Sequence, residues 1–351
     1  MPCACDGKNV YNIMTATVNN IFKVKYLIIR FSSIGDIVLT TPVIRGLKQQ
    51  VEGAEIHFLT KKKYEGILQH NPYIDKVYAY DHNMPELIQH LKQEDYHYVI
   101  DLHRNIRSAM VKSRIKALPF SFNKINWQKW LMVNAKINKL PDIHIVDRYL
   151  DTLKLFDVHN DRKGLDYFLS ENDIVSSDAL PEDFRKGYIA FAIGGQHYTK
   201  KLPAELIMRL LQLIDYPVVL LGGKDDIPVA EHILQHSGTK RIVNACNQYS
   251  LNQSAFLLKQ SRLVITHDTG LMHIAAAFKK TVISLWGNTI PAFGMSPYMP
   301  DKNSKIFEVN NLSCRPCSKI GHRKCPKGHF RCMRDMPLKE IAGYVISVLR
   351  D

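Results

Sequence analysis

The 351-residue sequence has no apolar run long enough to span a bilayer; its longest, "YLIIRF" and "PVVLLGG", are only a fraction of the required length. Its N-terminus lacks the charged, apolar and small-residue zones of a signal peptide, so a cytoplasmic protein is expected. G-x-G-x-x-G is missing, which leaves an NAD-binding assignment with little support. Paired C-x-x-C motifs are missing too. Seven cysteines in a chain this long do not make a secreted disulfide scaffold, yet four are grouped: Cys314, Cys317, Cys325 and Cys332, with His322 and His329 between them. Four thiolates could close a tetrahedral zinc site; the alternatives are reduced thiols packed in the fold and a redox function. Acidic residues are absent between Asp101 and Asp142, where nine Lys or Arg residues occur together with Trp127 and Trp130.

What is present describes a large globular chain. With 46% hydrophobic residues it can bury a substantial core, and its length favours two domains. The formal net charge of +14 favours anionic partners. After an N-terminal extension over residues 1–23, near-continuous apolar strands alternate with helical patterns: "KYLIIRF", "EIHFLT", "KVYAY" and "YVIDLH", with helices expected over 37–50, 61–70, 84–93, 105–117 and 143–156. A polar passage, "SENDIVSSDALPEDFRKG", precedes a second series: "YIAFAIGG", "PVVLLGG", "RIVNAC", "LVITHDT" and "TVISLWG". This is the pattern of parallel sheets covered on both faces, so the fold class is α/β with two doubly wound, Rossmann-like domains facing across a cleft. The expected division is 24–165, 166–334 with a Cys-rich segment at 314–332, and a C-terminal helix at 335–351. Ligands bind at the carboxyl ends of such strands.

The polar residues collect at those ends. After the first strand, "SSIGD" sets Gly35 for a tight turn and Asp36 at a helix start, where it serves either as a cap or as a general base aimed into the cleft. After "YIAFAIGG" come Thr199, Lys200 and Lys201; with Gly194 and Gly195 permitting close backbone approach, they suit a diphosphate, although paired lysines also occur as plain solvated charge. Asp225 or Asp226 after "LLGG" could accept from a ribose hydroxyl or cap a helix. In "HDTGLMHIAAA", Thr269 is a natural N-cap, Gly270 leaves room against the helix, and His273 can face the same mouth as Asp268. The basic, Trp-bearing stretch after Asp101 suits an anionic glycolipid or membrane interface, and equally an ordinary amphipathic surface helix. RNA-binding signatures are absent, so no nucleic-acid partner is expected.

"SSIGDIVLTTPVIRGL", "YVIDLHRNIRSAM", "TKKLP", "HDTGLMHIAAAFKKTVISLWG" and "LSCRPCSKIGHRKCPKGHFRCM" resemble, in this order, segments of the glycosyltransferase family 9 heptosyltransferases, over about residues 24–351. The resemblance implies a GT-B fold and metal-independent, inverting transfer from an ADP-activated heptose to an anionic, lipid-linked lipopolysaccharide core, with no cofactor required. It also implies peripheral contact with the cytoplasmic face of the inner membrane. Carried onto this chain, the base is Asp36. The donor site is Gly194, Gly195, Thr199, Lys200, Asp225, Asp268, Thr269, Gly270 and His273; the acceptor side holds Ser33, Gly35, Arg104 and Arg107. The absence of D-x-D fits transfer without a metal. Two departures touch donor identity: His267 precedes D-T-G where a small or apolar residue is expected, and Leu202 stands where the family has Trp. The alternatives are a sugar-nucleotide epimerase or hydrolase of the same fold and a zinc-dependent interaction protein built on the cysteines.

Overall fold

The structure is a computed structural model that describes residues 23–239 and 241–350, so the expected extension lies almost wholly outside it. The strands are β1 Val24–Ile29, β2 Ala54–Lys61, β3 Lys76–Tyr80, β4 Tyr98–Asp101, β5 Leu118–Ser121, β6 Ile189–Ala192, β7 Val218–Leu221, β8 Ile242–Asn244, β9 Leu263–His267, β10 Val282–Trp286 and β11 Lys305–Glu308. They form two sheets, ordered β3-β2-β1-β4-β5 and β11-β10-β9-β6-β7-β8, and every pairing is parallel. Both orders are Rossmann-like: the chain leaves a central strand in one direction and later returns to its other side. The switch points fall between β1 and β4 and between β6 and β9, where Ile29 pairs with Asp101 and Ala192 with Thr266.

The helices are α1 Ile34–Val38, α2 Thr41–Gln50, α3 Met84–Lys92, α4 Ile106–Arg114, α5 Asn126–Trp130, α6 Ile145–Leu150, α7 Ala204–Ile214, α8 Ile227–His236, α9 Leu251–Gln260, α10 Gly270–Ala277, α11 Arg331–Arg334 and α12 Leu338–Arg350. Alternation along the strands places side chains on both faces. Tyr26 and Ile28 join a core with Val43, Ile44 and Leu47 of α2, while Leu27 and Ile29 join another with Leu87, Leu91 and Val111. In the second sheet Ile189 and Phe191 pack with Leu206 and Leu210 of α7 and with Ile341 and Val345 of α12; Ala190 packs opposite, with Leu257, Leu258 and Met272. No helix of the described residues is long and apolar enough to cross a membrane.

Four local expectations require correction. The helix expected over 37–50 is two helices, because continuing α1 through Pro42 would drive its ring into the Val38 carbonyl. Residues 61–70 form only a 3-10 turn at Lys62–Ile67, where consecutive lysines repel and Gly66 weakens the helix. The 143–156 helix becomes α6 followed by a 3-10 segment, Asp151–Phe156. β5 and β11 were not expected as strands; both are four-residue edge strands, one carrying Pro119 and the other ending in charged residues, so neither has a sheet-interior pattern.

Candidate active site

The carboxyl ends of β1 and β9 deliver α1 and α10 to one another. Ile274 and Ala276 of α10 lie in the same buried cluster as Ile37 and Val38 of α1. Contact is closest at two glycines: a Cβ on Gly35 would lie 2.5 Å from His273 Cδ2, and one on Gly270 would lie 2.7 Å from Ile34 Cγ2. Gly270 therefore accommodates the opposing helix, which corrects the expectation that it leaves space for a ligand.

Asp36 occupies the third position of α1. Its Oδ2 accepts from the Ser33 backbone N–H at 3.1 Å and the Ser33 hydroxyl at 2.7 Å, while Oδ1 pairs with Arg30 at 2.6 Å. Burial alone would raise its pKa, but the Arg30 guanidinium and the Ser33 hydrogen bonds outweigh it and hold the carboxyl below its ordinary range. Arg30 is fixed in turn by the Ser32 and Leu102 carbonyls and the Tyr149 hydroxyl. Sequence reasoning missed Arg30. Its signal was a cation just past an apolar strand, three residues before the S-x-G-D motif. Asp36 thus closes a capping box with Ser33, the first of its sequence alternatives, and keeps a charged carboxylate at the strand end.

In the second domain Lys200 Nζ pairs with Asp268 Oδ2 at 2.6 Å, and that oxygen also accepts from the Thr289 hydroxyl at 2.9 Å. Thr269 is the N-cap of α10, but its side chain makes no capping hydrogen bond. His273 is 2% exposed. Burial pushes its imidazole down to about 4 against the opposing pull of Asp268, so the ring is neutral, and its Nδ1 has no partner.

The remaining donor-side residues are placed differently from expectation. The space beside Gly194 belongs to Asp226, whose Oδ2 would lie 2.4 Å from an added Cβ. Asp226 closes its own turn by accepting from Gly223 N–H at 3.0 Å and pairs with Lys201 at 3.1 Å. It is the buried member of the acidic pair; Asp225 is exposed with no hydrogen bond or ion pair among the described residues, because the 3-10 turn at Lys224–Asp226 points only its third side chain inward. Beside Gly195 lie Lys201 Cγ and Thr269 Cγ2, at 3.3 and 3.4 Å from an added Cβ. Thr199 is buried, and its hydroxyl accepts from His322 N–H at 2.8 Å, which ties this turn to the Cys-rich segment instead of leaving a free hydroxyl.

On the acceptor side, Arg104 and Arg107 are exposed just beyond β4. Asp101, fully buried, organises that loop by accepting from the His103 and Arg104 N–H groups and from Ser108 and Lys112. Cys314 Sγ lies 3.7 Å from His329 Nε2, and the Cys332 thiol, raised chiefly by burial, is also raised by Cys317, Cys325 and Cys314, although no three of these sulfurs lie within 4.8 Å of one another. Among the described residues the one compact group of three metal-ligand types is Glu55, His57 and Glu94, and Lys25 and Lys76 already pair with Glu94 there.

Both strand-end clusters sit at switch points, as an α/β ligand site requires. An ionised carboxylate on one domain faces a helix N-terminus and a lysine on the other: the first can take a proton, the second can stabilise a departing anion.

Comparison with known proteins identifies the family and the fold. The model of "Glycosyltransferase family 9 (heptosyltransferase)" matches residues 84–327. Lipopolysaccharide heptosyltransferase 1 of Campylobacter coli is 26% identical over 291 residues, covering 76% of this chain and 84% of that protein. Two solved structures share the fold: a glycosyl transferase family 9 protein from Veillonella parvula has a TM-score of 0.74 at 20% identity, covering 93% of this chain and 97% of that one. Escherichia coli heptosyltransferase WaaC with ADP has a TM-score of 0.67 at 19% identity, covering 93% and 100%. With the family model spanning well over half of its length, this chain belongs to glycosyltransferase family 9.

Proposed function

We propose that the protein transfers a heptose from an ADP-activated donor to an anionic lipopolysaccharide core acceptor, inverting the anomeric centre without a metal. The acceptor hydroxyl attacks the anomeric carbon while its proton passes to Asp36, and the bond to the diphosphate breaks on the opposite face of the sugar. Charge gathers on the leaving ADP. Lys200 and the uncapped N–H groups of α10 receive it, the diphosphate competing with Asp268 for the lysine. Ser33 and Arg30 keep Asp36 ionised and oriented, and the basic loop with Arg104 and Arg107 draws in the acceptor at the inner membrane surface.

The observation that carries this reading is the direct contact of α1 with α10, which brings Asp36 and the Lys200–Asp268 pair to one cleft from separate domains. The names of the relatives supply the sugar and acceptor class, and the ADP bound in WaaC supplies the nucleotide.

Calorimetry against ADP, UDP, GDP and CMP tests the donor side. ADP should bind selectively, and Lys200→Ala should weaken ADP more than adenosine. Equal losses for the two ligands would make Lys200 a support of the fold and remove it from the diphosphate site.

A further inference from the structure

A cavity of about 540 Å³ opens between α5 with the π-helical turn that follows it, Leu131–Ala135, and the Cys-rich segment of the other domain. Its walls include Trp127, Lys129 and Trp130 from the first domain and Ser318 and Lys319 from the second. Trp127 and Trp130 lie one turn apart, their rings parallel within 6° at 5.3 Å, yet 66% and 53% exposed. No core contact accounts for two large apolar rings left in water at a cavity wall. The segment is nonetheless firmly placed: Lys136 donates to the Pro316 carbonyl at 2.6 Å and the Cys314 carbonyl at 3.1 Å, bridging the domains at the same wall.

Among the described residues Lys124, Lys129 and Lys319 form no ion pair; burial and the repulsion of Arg148, Lys319 and Lys124 push the Lys129 ammonium down to about 8, with Asp36 acting the other way. Lys124 is lowered likewise, by burial and then by Arg30, with Asp101 pulling the other way and Lys319 and Arg104 adding to the lowering. Positive groups from several elements therefore converge here, opposed among the described residues only by Asp36 and by Asp101, which already pair with Arg30 and Lys112. That is an anion site in search of its anion. Aromatic faces beside convergent polar groups in a cavity of this size suit a ring-shaped ligand with an apolar face.

We infer that this cavity is a saccharide subsite: a sugar ring bearing a carboxylate or phosphate stacks its C–H face on the Trp127–Trp130 pair while Lys129 and Lys319 hold its anionic group. The inference rests on the transferase reading only in taking that sugar to be part of the acceptor. Because Lys319 comes from the second domain, a bound acceptor touches both domains. The occupant is a glycan and not a bilayer, since the cations lie in the recess between domains and not along one exposed helix face.

Fluorescence isolates the site, because the third tryptophan, Trp286, is buried. Acrylamide quenching of the full-length protein should fall about twofold on adding deacylated, heptose-deficient lipopolysaccharide oligosaccharide, as stacking covers the rings. Maltotriose and inorganic phosphate should protect little, and Lys129→Met and Lys319→Met should each remove most of the protection while melting as the wild type does. Trp127→Ala should raise the acceptor KM and leave the donor KM unchanged. Equal protection by maltotriose, protection by phosphatidylglycerol vesicles alone, or no protection by any probe would overturn the subsite. ADP calorimetry on the same samples separates failures: ADP binding without protection sinks the subsite, whereas protection without ADP binding or transfer sinks the transferase reading.

Discussion

Single residues decide the chemistry through their partners. Asp36 shows this at the end of β1, where Arg30 and Ser33 set its charge and direction. His267 shows it at the end of β9. Its Nε2 accepts from the Leu202 N–H at 2.9 Å and its Nδ1 faces the Gly194 carbonyl at 3.4 Å, which requires the Nδ1–H tautomer. The two departures from the family pattern, His267 and Leu202, are thus in direct contact, and the imidazole pins both ends of the loop that carries Lys200. Replacing it with Phe leaves a buried N–H and a buried carbonyl unpaired, so His267→Phe should weaken ADP binding about tenfold, with His267→Gln restoring much of it. ADP affinity unchanged in the Phe variant would reduce His267 to packing. Burial keeps this ring's pKa near about 4, against roughly 6.5 in the unfolded chain. The unfolded state therefore binds the proton first on acidification, and stability is lost as pH falls through that window. The melting temperature of the wild type should drop more steeply there than that of His267→Gln.

At the level of elements, the Gly35 and Gly270 pair sets how closely the domains meet. Gly35→Ala would drive a methyl into His273, whose unpartnered Nδ1 gives the ring no hydrogen bond to swing toward. Separation of α1 from α10 by about 1 Å should cost about 10²-fold in turnover while ADP affinity stays near wild type; unchanged turnover would show the contact to be incidental. These elements were legible in the sequence because apolar strands ending in Gly, Asp, Thr and Lys mark sheet ends whatever the tertiary detail. What was not legible depends on contacts made across the fold. Gly194 reads as room for a ligand until Asp226 is seen to fill it, and Thr199 reads as a free hydroxyl until the His322 peptide occupies it. Arg30 was hidden in an apolar strand, and β5 and β11 in short edge segments with Pro119 and terminal charges. The cavity at Trp127 could not be anticipated, since part of its wall, Cys317, Ser318 and Lys319, lies nearly two hundred residues away in the chain.

At the scale of the whole molecule, two Rossmann-like units turn their switch points toward one cleft, and in the proposed mechanism each supplies half of a transfer reaction. The first holds an ionised carboxylate and a basic approach; the second holds a lysine and a helix terminus. The two units meet through Gly35 and Gly270 between α1 and α10 and through Lys136 at the rim. The most direct test is the rate of heptose transfer from ADP-heptose to heptose-deficient lipopolysaccharide by Asp36→Asn, measured alongside its ADP affinity. Loss of a general base predicts a fall in turnover of about 10²-fold or more with ADP binding nearly intact; turnover close to wild type would remove Asp36 from the mechanism and with it the division of labour between the two domains.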